Sequence, residues 1–167
     1  MMALKIQQAT VKDIELIREI TFKVWPQTYS NIIDKKQIDY MLDMIYSEAA
    51  LEQQMTEHQH SFIINYNDVF PVAFASYGPI SSTTWKLHKL YILPNQHGKG
   101  IGRFMIDHIL EDVRVKGGHS LILNVNRQNK ARYFYEKLGF NIIGEEDIDI
   151  GSGYFMNDYV MEKKLQE

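Results

Sequence analysis

Residues 85 to 116 read WKLHKLYILPNQHGKGIGRFMIDHILEDVRVK. Leu87, Leu90, Tyr91, Ile92 and Leu93 make a β-favouring run that Pro94 ends, because proline cannot donate to the ladder. From Ile101 onward, Ile101, Phe104, Met105, Ile109 and Val113 recur at three- and four-residue spacing, which predicts a helix with one apolar stripe laid on a sheet. Gly98, Gly100 and Gly102 stand between strand and helix. Glycines there let the chain turn tightly and bring its amides close to a ligand with no Cβ in the way. The first N–H groups of a helix lack internal partners, and the helix dipole is positive at that end. With Lys99 and Arg103 adding charge, residues 97 to 103 are expected to cradle a diphosphate. A turn that only packs a helix on a strand is the plainer alternative.

Two common phosphate ligands do not fit. The P-loop pattern needs lysine and then serine or threonine after its last glycine, and here Arg103 follows Gly102. A dinucleotide site needs an acidic residue roughly 20 positions on, at the end of the next strand. That strand, Leu121 to Val125, instead carries Asn124 and is followed by Asn126.

The segment LYILPNQHGKGIGRFMIDHIL and, after a short spacer, LILNVNRQNKARYFYEKLGF together resemble the two central motifs of the GNAT superfamily, the acyl-CoA-dependent N-acyltransferases. The pair spans Leu90 to Phe140, and the pattern of strands and helices around it is similar as well. One position departs: where Gln or Arg usually precedes the glycines this chain has His97, with Gln96 before it. The resemblance implies an α/β (α+β) fold, a mixed and mostly antiparallel sheet with flanking helices and a central parallel strand pair that splays apart.

In that fold the pantetheine arm of the coenzyme lies in the splay and takes up backbone groups of the first strand, which would otherwise be costly to leave unpaired. The resemblance thus implies acetyl-CoA as cosubstrate, with no metal. It assigns Leu90, Tyr91 and Ile92 to the pantetheine and thioester, and His97, Gly98, Lys99, Gly100, Ile101, Gly102 and Arg103 to the diphosphate. Asn129 matches the asparagine that contacts the arm, although alone it could equally cap a helix. Lys137 is assigned to the adenosine phosphates or to solvent.

Tyr135, in YEKLGF, matches the family's acid. A phenol of pKa about 10 can protonate a departing thiolate of pKa about 8.5 with little penalty. Packing at the edge of the core is its plain alternative. The base stays open: the family's glutamate on the second splayed strand corresponds to Asn124, which takes no proton usefully. His88 has a suitable intrinsic pKa, and ordered water is an equal candidate.

Composition sets the limits. At 167 residues, 45% hydrophobic and 23% charged, the chain is long enough for one domain spanning 1–167 with its own core. It has no cysteine, which excludes disulfides, thiolate metal sites and a cysteine acyl-enzyme. The net charge of −3, with acidic and basic residues interspersed, gives no support for a nucleic-acid partner and tolerates a small cationic one. No apolar run approaches roughly 18 residues and no signal peptide is evident, so a cytoplasmic protein without a membrane partner is expected. A homodimer stays open. The histidines show no metal-ligand spacing.

Elsewhere, Leu4 to Ala9 reads as a strand, and Thr10 with Asp13 as a capping box for a helix running to Pro26. Residues 34 to 57 read as one further helix. Trp25 and Tyr29 are expected to touch the acceptor because the resemblance places this region over the acceptor pocket, with plain core packing as the alternative. Phe62 to Tyr66 and Phe70 to Tyr77 form a hairpin through Asn67-Asp68. A helix over Gln128 to Leu138 is followed by a closing hairpin from Asn141, with the acidic residues Glu145, Glu146, Asp147 and Asp149 expected in a solvated loop.

The function expected is acetyl transfer to a primary amine of a small molecule, by direct attack in a ternary complex. The final segment GSGYFMNDYVMEKKL is similar to the polyamine-acetyltransferase branch. A protein N-terminus, an amino acid or an antibiotic amine are alternative acceptors, and a non-catalytic acyl-CoA sensor is the alternative of another class.

Overall fold

The structure, a computed structural model, describes residues 2–166. In chain order its elements are β1 (Leu4–Gln8), α1 (Ile14–Tyr29), α2 (Lys35–Tyr46), α3 (Glu48–Thr56), β2 (Ser61–Asn67), β3 (Phe70–Pro79), β4 (Thr84–Ile92), α4 (Ile101–Val115), β5 (Ser120–Asn126), α5 (Ala131–Lys137), β6 (Asn141–Gly151) and β7 (Tyr154–Lys164). Single turns of 3-10 helix lie at Val11–Asp13 and Pro94–Gln96. The strands form one seven-stranded sheet of order β1-β2-β3-β4-β5-β7-β6. The β1–β2, β2–β3, β5–β7 and β6–β7 pairs are antiparallel, and β4 with β5 is parallel. This is the mixed, mostly antiparallel α/β architecture expected. Two compact units share the chain: one runs to Gly78 and takes in Lys89–Asp107, and the other holds Pro79–His88 and the residues from His108 on.

In the first unit the capping box forms. The Thr10 N–H donates to Asp13 Oδ2 at 2.9 Å and the Lys12 N–H to Thr10 Oγ1 at 3.3 Å. Helix α1 then runs past Pro26 to Tyr29, three residues beyond the expected end. A proline removes one helix donor, and here the Ser30 N–H still reaches the Pro26 carbonyl at 3.1 Å, so the last turn holds. The single helix expected over 34 to 57 is two. Ser47 takes an extended backbone, with φ −63° and ψ 156°, and its hydroxyl accepts from the Ala50 N–H at 3.1 Å, so it ends α2 and caps α3. The hairpin turn falls on Asp68 and Val69, one residue later than expected, with Asp68 at φ +54°. Strands β2 and β3 are buried on both faces at Phe62, Ile63, Ile64, Ala73, Phe74 and Ala75, which makes them the centre of this unit's core.

In the second unit β4 and β5 pair from Thr84↔Ser120 to Leu87↔Leu123, while β4 itself continues to Ile92 and β5 to Asn126. Of helix α4, Ile109 and Val113 are buried in this unit, while Ile101, Met105 and Ile106 are buried in the first. Phe104, assigned to that stripe from its spacing, is 40% exposed, and Ile106 is buried in its stead. Helix α5 starts three residues later than expected. The side chains of Asn126 and Asn129 accept the N–H groups of Gln128 and Ala131, each at 2.9 Å, and hold the preceding residues in turns. The acidic run expected in a loop is strand: Glu145 to Asp149 lie within β6, each opposite a residue of β7. The extended ladder satisfies their backbone while most of the side chains stay in water.

Candidate active site

The chain from Ile92 to Ile101 turns through the three-residue helix at Pro94–Gln96 and then through two glycines in the left-handed region, Gly98 at φ +77° and Gly100 at φ +78°. Side chains rarely adopt these angles. A Cβ built on either glycine would meet nothing within 4 Å, so both face open space. Gly102 differs, being buried in the first turn of α4 with ordinary helical φ. The first internal bond of α4 runs from the Phe104 N–H to the Gly100 carbonyl at 3.0 Å, so the N–H groups of Ile101, Gly102 and Arg103 precede the helical ladder. Lys99 and Arg103 are exposed beside them. His97 is also exposed, and its Nε2 lies 3.0 Å from the Ile92 carbonyl, which as an Nε2–H tautomer it caps, tying the turn to the end of β4. An exposed, glycine-opened turn that presents early helix amides and two cations fits a diphosphate.

Leu90, Tyr91 and Ile92 are half-buried at the end of β4. Tyr91 meets both residues expected to touch the acceptor. Its ring centroid is 6.1 Å from that of Trp25, and its hydroxyl is 3.4 Å from the Tyr29 hydroxyl. Tyr46, 5.5 Å from Trp25 and 6.5 Å from Tyr91, and Phe74, 5.8 Å from Tyr91, complete the cluster. Trp25 is 2% and Tyr29 7% exposed, so both also serve the core. Burial first, then the neighbouring phenols Tyr29 and Tyr46, hold the Tyr91 hydroxyl well above the ordinary tyrosine range, so it stays protonated.

Sequence reasoning missed Lys89 in this cluster. It is 8% exposed, donates from Nζ to Gln54 Oε1 at 2.7 Å, and lies 5.4 Å and 5.6 Å from the ring centroids of Tyr46 and Phe62. Burial lowers its pKa from 10.5 to about 8. The signal was faint, a lysine in phase with the buried Leu87 and Trp85 of β4.

In the second unit Tyr135 is buried on α5, with its ring 5.1 Å from Phe134 and 5.7 Å from Phe140. It therefore packs with the core, alongside Leu138. Asn129 holds the start of α5 through its side-chain oxygen, and Lys137 is exposed at the helix end. His88 is half-buried on β4.

The same unit carries a carboxylate that sequence reasoning did not single out. Asp158 on β7 is 5% exposed. Asn124, at the position where a base was sought, donates from Nδ2 to Asp158 Oδ2 and to Glu146 Oε2, both at 3.3 Å. Asp158 Oδ1 is buried without a hydrogen-bond partner. Burial pushes the Asp158 carboxyl up, and the charge on Glu146 acts the same way; the Asn124 amide, Lys86 and Arg127 oppose them. Arg127 spends its guanidinium on Asp147 and Glu145 and reaches only the main-chain oxygen of Asp158, at 3.3 Å. Asp158 alternates in phase with Met156 and Val160, which was the signal available: an acid at an inward position of a strand. Among the described residues no group of three or more His, Cys, Asp or Glu could hold a metal ion, and no helix is long and apolar enough to cross a membrane.

Comparison with known proteins bears on the family and the fold. The family model described as acetyltransferase (GNAT) domain matches residues 30–161. A spermidine N(1)-acetyltransferase of Thermoplasma acidophilum is 28% identical over 170 residues, covering 99% of each chain. The crystal structure of the PaiA N-acetyltransferase from the same organism, in complex with coenzyme A, superposes with a TM-score of 0.83 at 27% identity over 98% of this chain and 99% of that one. A ribosomal-protein alanine N-acetyltransferase of Haemophilus influenzae is 35% identical over 69 residues, 41% of this chain and 44% of that protein.

Proposed function

Since the chain belongs to the GNAT acetyltransferase family, and is therefore an acyl-CoA-dependent N-acetyltransferase with acetyl-CoA as its donor, we propose that its acceptor is the primary amine of a small polyamine-like molecule. The observation that carries this reading is the end-to-end similarity to the spermidine N(1)-acetyltransferase, which covers the variable acceptor half as well as the coenzyme motifs. The similarity to the alanine N-acetyltransferase covers under half the chain.

In this reading the amides from Gly98 to Arg103, with Lys99 and Arg103, hold the diphosphate, and His97 fixes the turn. The backbone of Leu90, Tyr91 and Ile92 holds the pantetheine arm, with Asn129 and Lys137 at its periphery. Bound acetyl-CoA supplies the acetyl group as an activated thioester. The free amine forms the new C–N bond as the C–S bond breaks, and the thiolate takes a proton from Tyr135. The Ile92 amide stabilises the charge that develops on the acyl oxygen. His88, or ordered water with no dedicated residue, receives the proton the amine must lose. Trp25 and Tyr29 shape the acceptor side and exclude water.

A thiol-release assay with acetyl-CoA and a panel of amines tests this. Turnover is expected on spermidine or spermine, with little on free amino acids or an alanine-starting peptide. Tyr135→Phe should lower kcat by roughly 100-fold or more while coenzyme affinity stays within about twofold. Preference for the peptide would overturn the acceptor assignment, and an unchanged kcat in Tyr135→Phe would remove its role as acid.

A further inference from the structure

The Asn124–Asp158–Glu146 group draws two carboxylates onto one side-chain amide. Asn126 pairs with Asp158 across β5 and β7, and Glu146 pairs with Asp158 across β6 and β7, so Asn124, Asp158 and Glu146 share one sheet face. Their exposure is graded: Asp158 is buried, Asn124 half-buried and Glu146 exposed. Asn124 turns its donor on both carboxylates and holds them in place. Two carboxylates drawn to one amide repel each other, and each gains from a positive guest. Among the described residues no lysine, arginine or histidine ion-pairs with either, and Asp158 Oδ1 is left buried and unbonded. A buried carboxylate oxygen without a partner is costly, and a donor supplied from outside is the usual resolution. Among the described residues no third His, Cys, Asp or Glu joins the two carboxylates, and an alkylammonium carries three N–H donors that it can divide between them.

We propose that Asp158, with Glu146 at its rim and Asn124 between them, binds an ammonium group of the acceptor amine. This rests on the polyamine reading above and adds the residues that select for positive charge. Glu146 meets the cation first, and Asp158 holds it where water is excluded. The amide at position 124 keeps the pair at two charges, which suits a mono- or diammonium segment.

The test is a titration of spermidine into the full-length 15N-labelled protein with coenzyme A bound, following the Asn124 side-chain amide signals, assigned by their loss in Asn124→Ala. These signals should shift in the parent protein. The apparent affinity should fall at least tenfold in Asp158→Asn and about three- to fivefold in Glu146→Gln, and stay unchanged in Glu52→Gln, an exposed carboxylate of α3. Absence of a shift at millimolar spermidine, or equal affinity in both Asp158→Asn and Glu146→Gln, overturns the site; Glu146→Gln alone decides if Asp158→Asn does not fold. Turnover on the amine panel is scored separately. Turnover on spermidine with affinity unaffected by both substitutions removes the site and leaves the acceptor reading. Shifts at Asn124 with no turnover on any amine remove the acceptor reading and leave the site.

Discussion

Single residues in this chain depart from what their type suggests, and Lys89 is the clearest case. Its folded pKa of about 8 lies below the unfolded value, so folding favours the neutral amine. The stability linked to this group is therefore present above about pH 10.5 and lost as pH falls through about 8. At pH 7 carrying this charge in the folded chain costs on the order of 3 kcal/mol. Lys89→Met should raise the thermal midpoint at pH 7, and the gain should shrink between pH 8 and 10.5; calorimetry across that range checks it, and a gain independent of pH would sink the account. Lys86 and Lys89 look alike in the sequence, yet only Lys89 is buried. Asp158 was equally hard to read, because its burial depends on β7 pairing with both β5 and β6, a non-local fact that one strand's alternation only hints at. The glycines at 98 and 100 were legible for the opposite reason: a left-handed backbone demands that residue type locally.

Elements follow the same division. The strand, turn and helix from Trp85 to Lys116 could be read because an apolar run, a proline and glycines punctuate it where the structure changes direction. Boundaries set by side-chain capping were not legible, as at Ser47 and at Asn126 with Asn129, since a serine or asparagine within a periodic run looks the same whether it caps or faces water. The close of α4 against β4 shows how tightly elements fit. A Cβ on Gly118 would lie 2.3 Å from Val113 Cγ1 and 2.7 Å from Trp85 Cδ1. Gly118→Ala should therefore cost about 2–3 kcal/mol through overpacking, read by chemical denaturation. A cost under about 0.5 kcal/mol would mean that strand and helix yield there without strain.

At the scale of the molecule, coenzyme binding and stability are linked. Acetyl-CoA at 100 times its Kd should add about 2.7 kcal/mol, which raises the thermal midpoint of a chain this size by roughly 5–10 °C. Gly100→Ala, with no neighbour to clash against, should lower the ligand-free midpoint only slightly and remove most of that rise, because an alanine pulls the turn out of the left-handed region and re-aims its amides. A rise equal to that of the parent protein would show that the turn is not where the diphosphate is held. The family was readable from Leu90 to Phe140 because its proline and glycines mark backbone geometry locally, whereas Asn124, Asp158 and Glu146 come together only when distant strands pair. Lys89 has one more consequence. A catalyst that hands acyl groups to amines is exposed to its own chemistry, and its surface lysines are open to stray acylation. The amine roofed by Tyr46 and Phe62 escapes this for as long as its shelter stands, so a modified Lys89 would mark a molecule that had come apart before it was labelled.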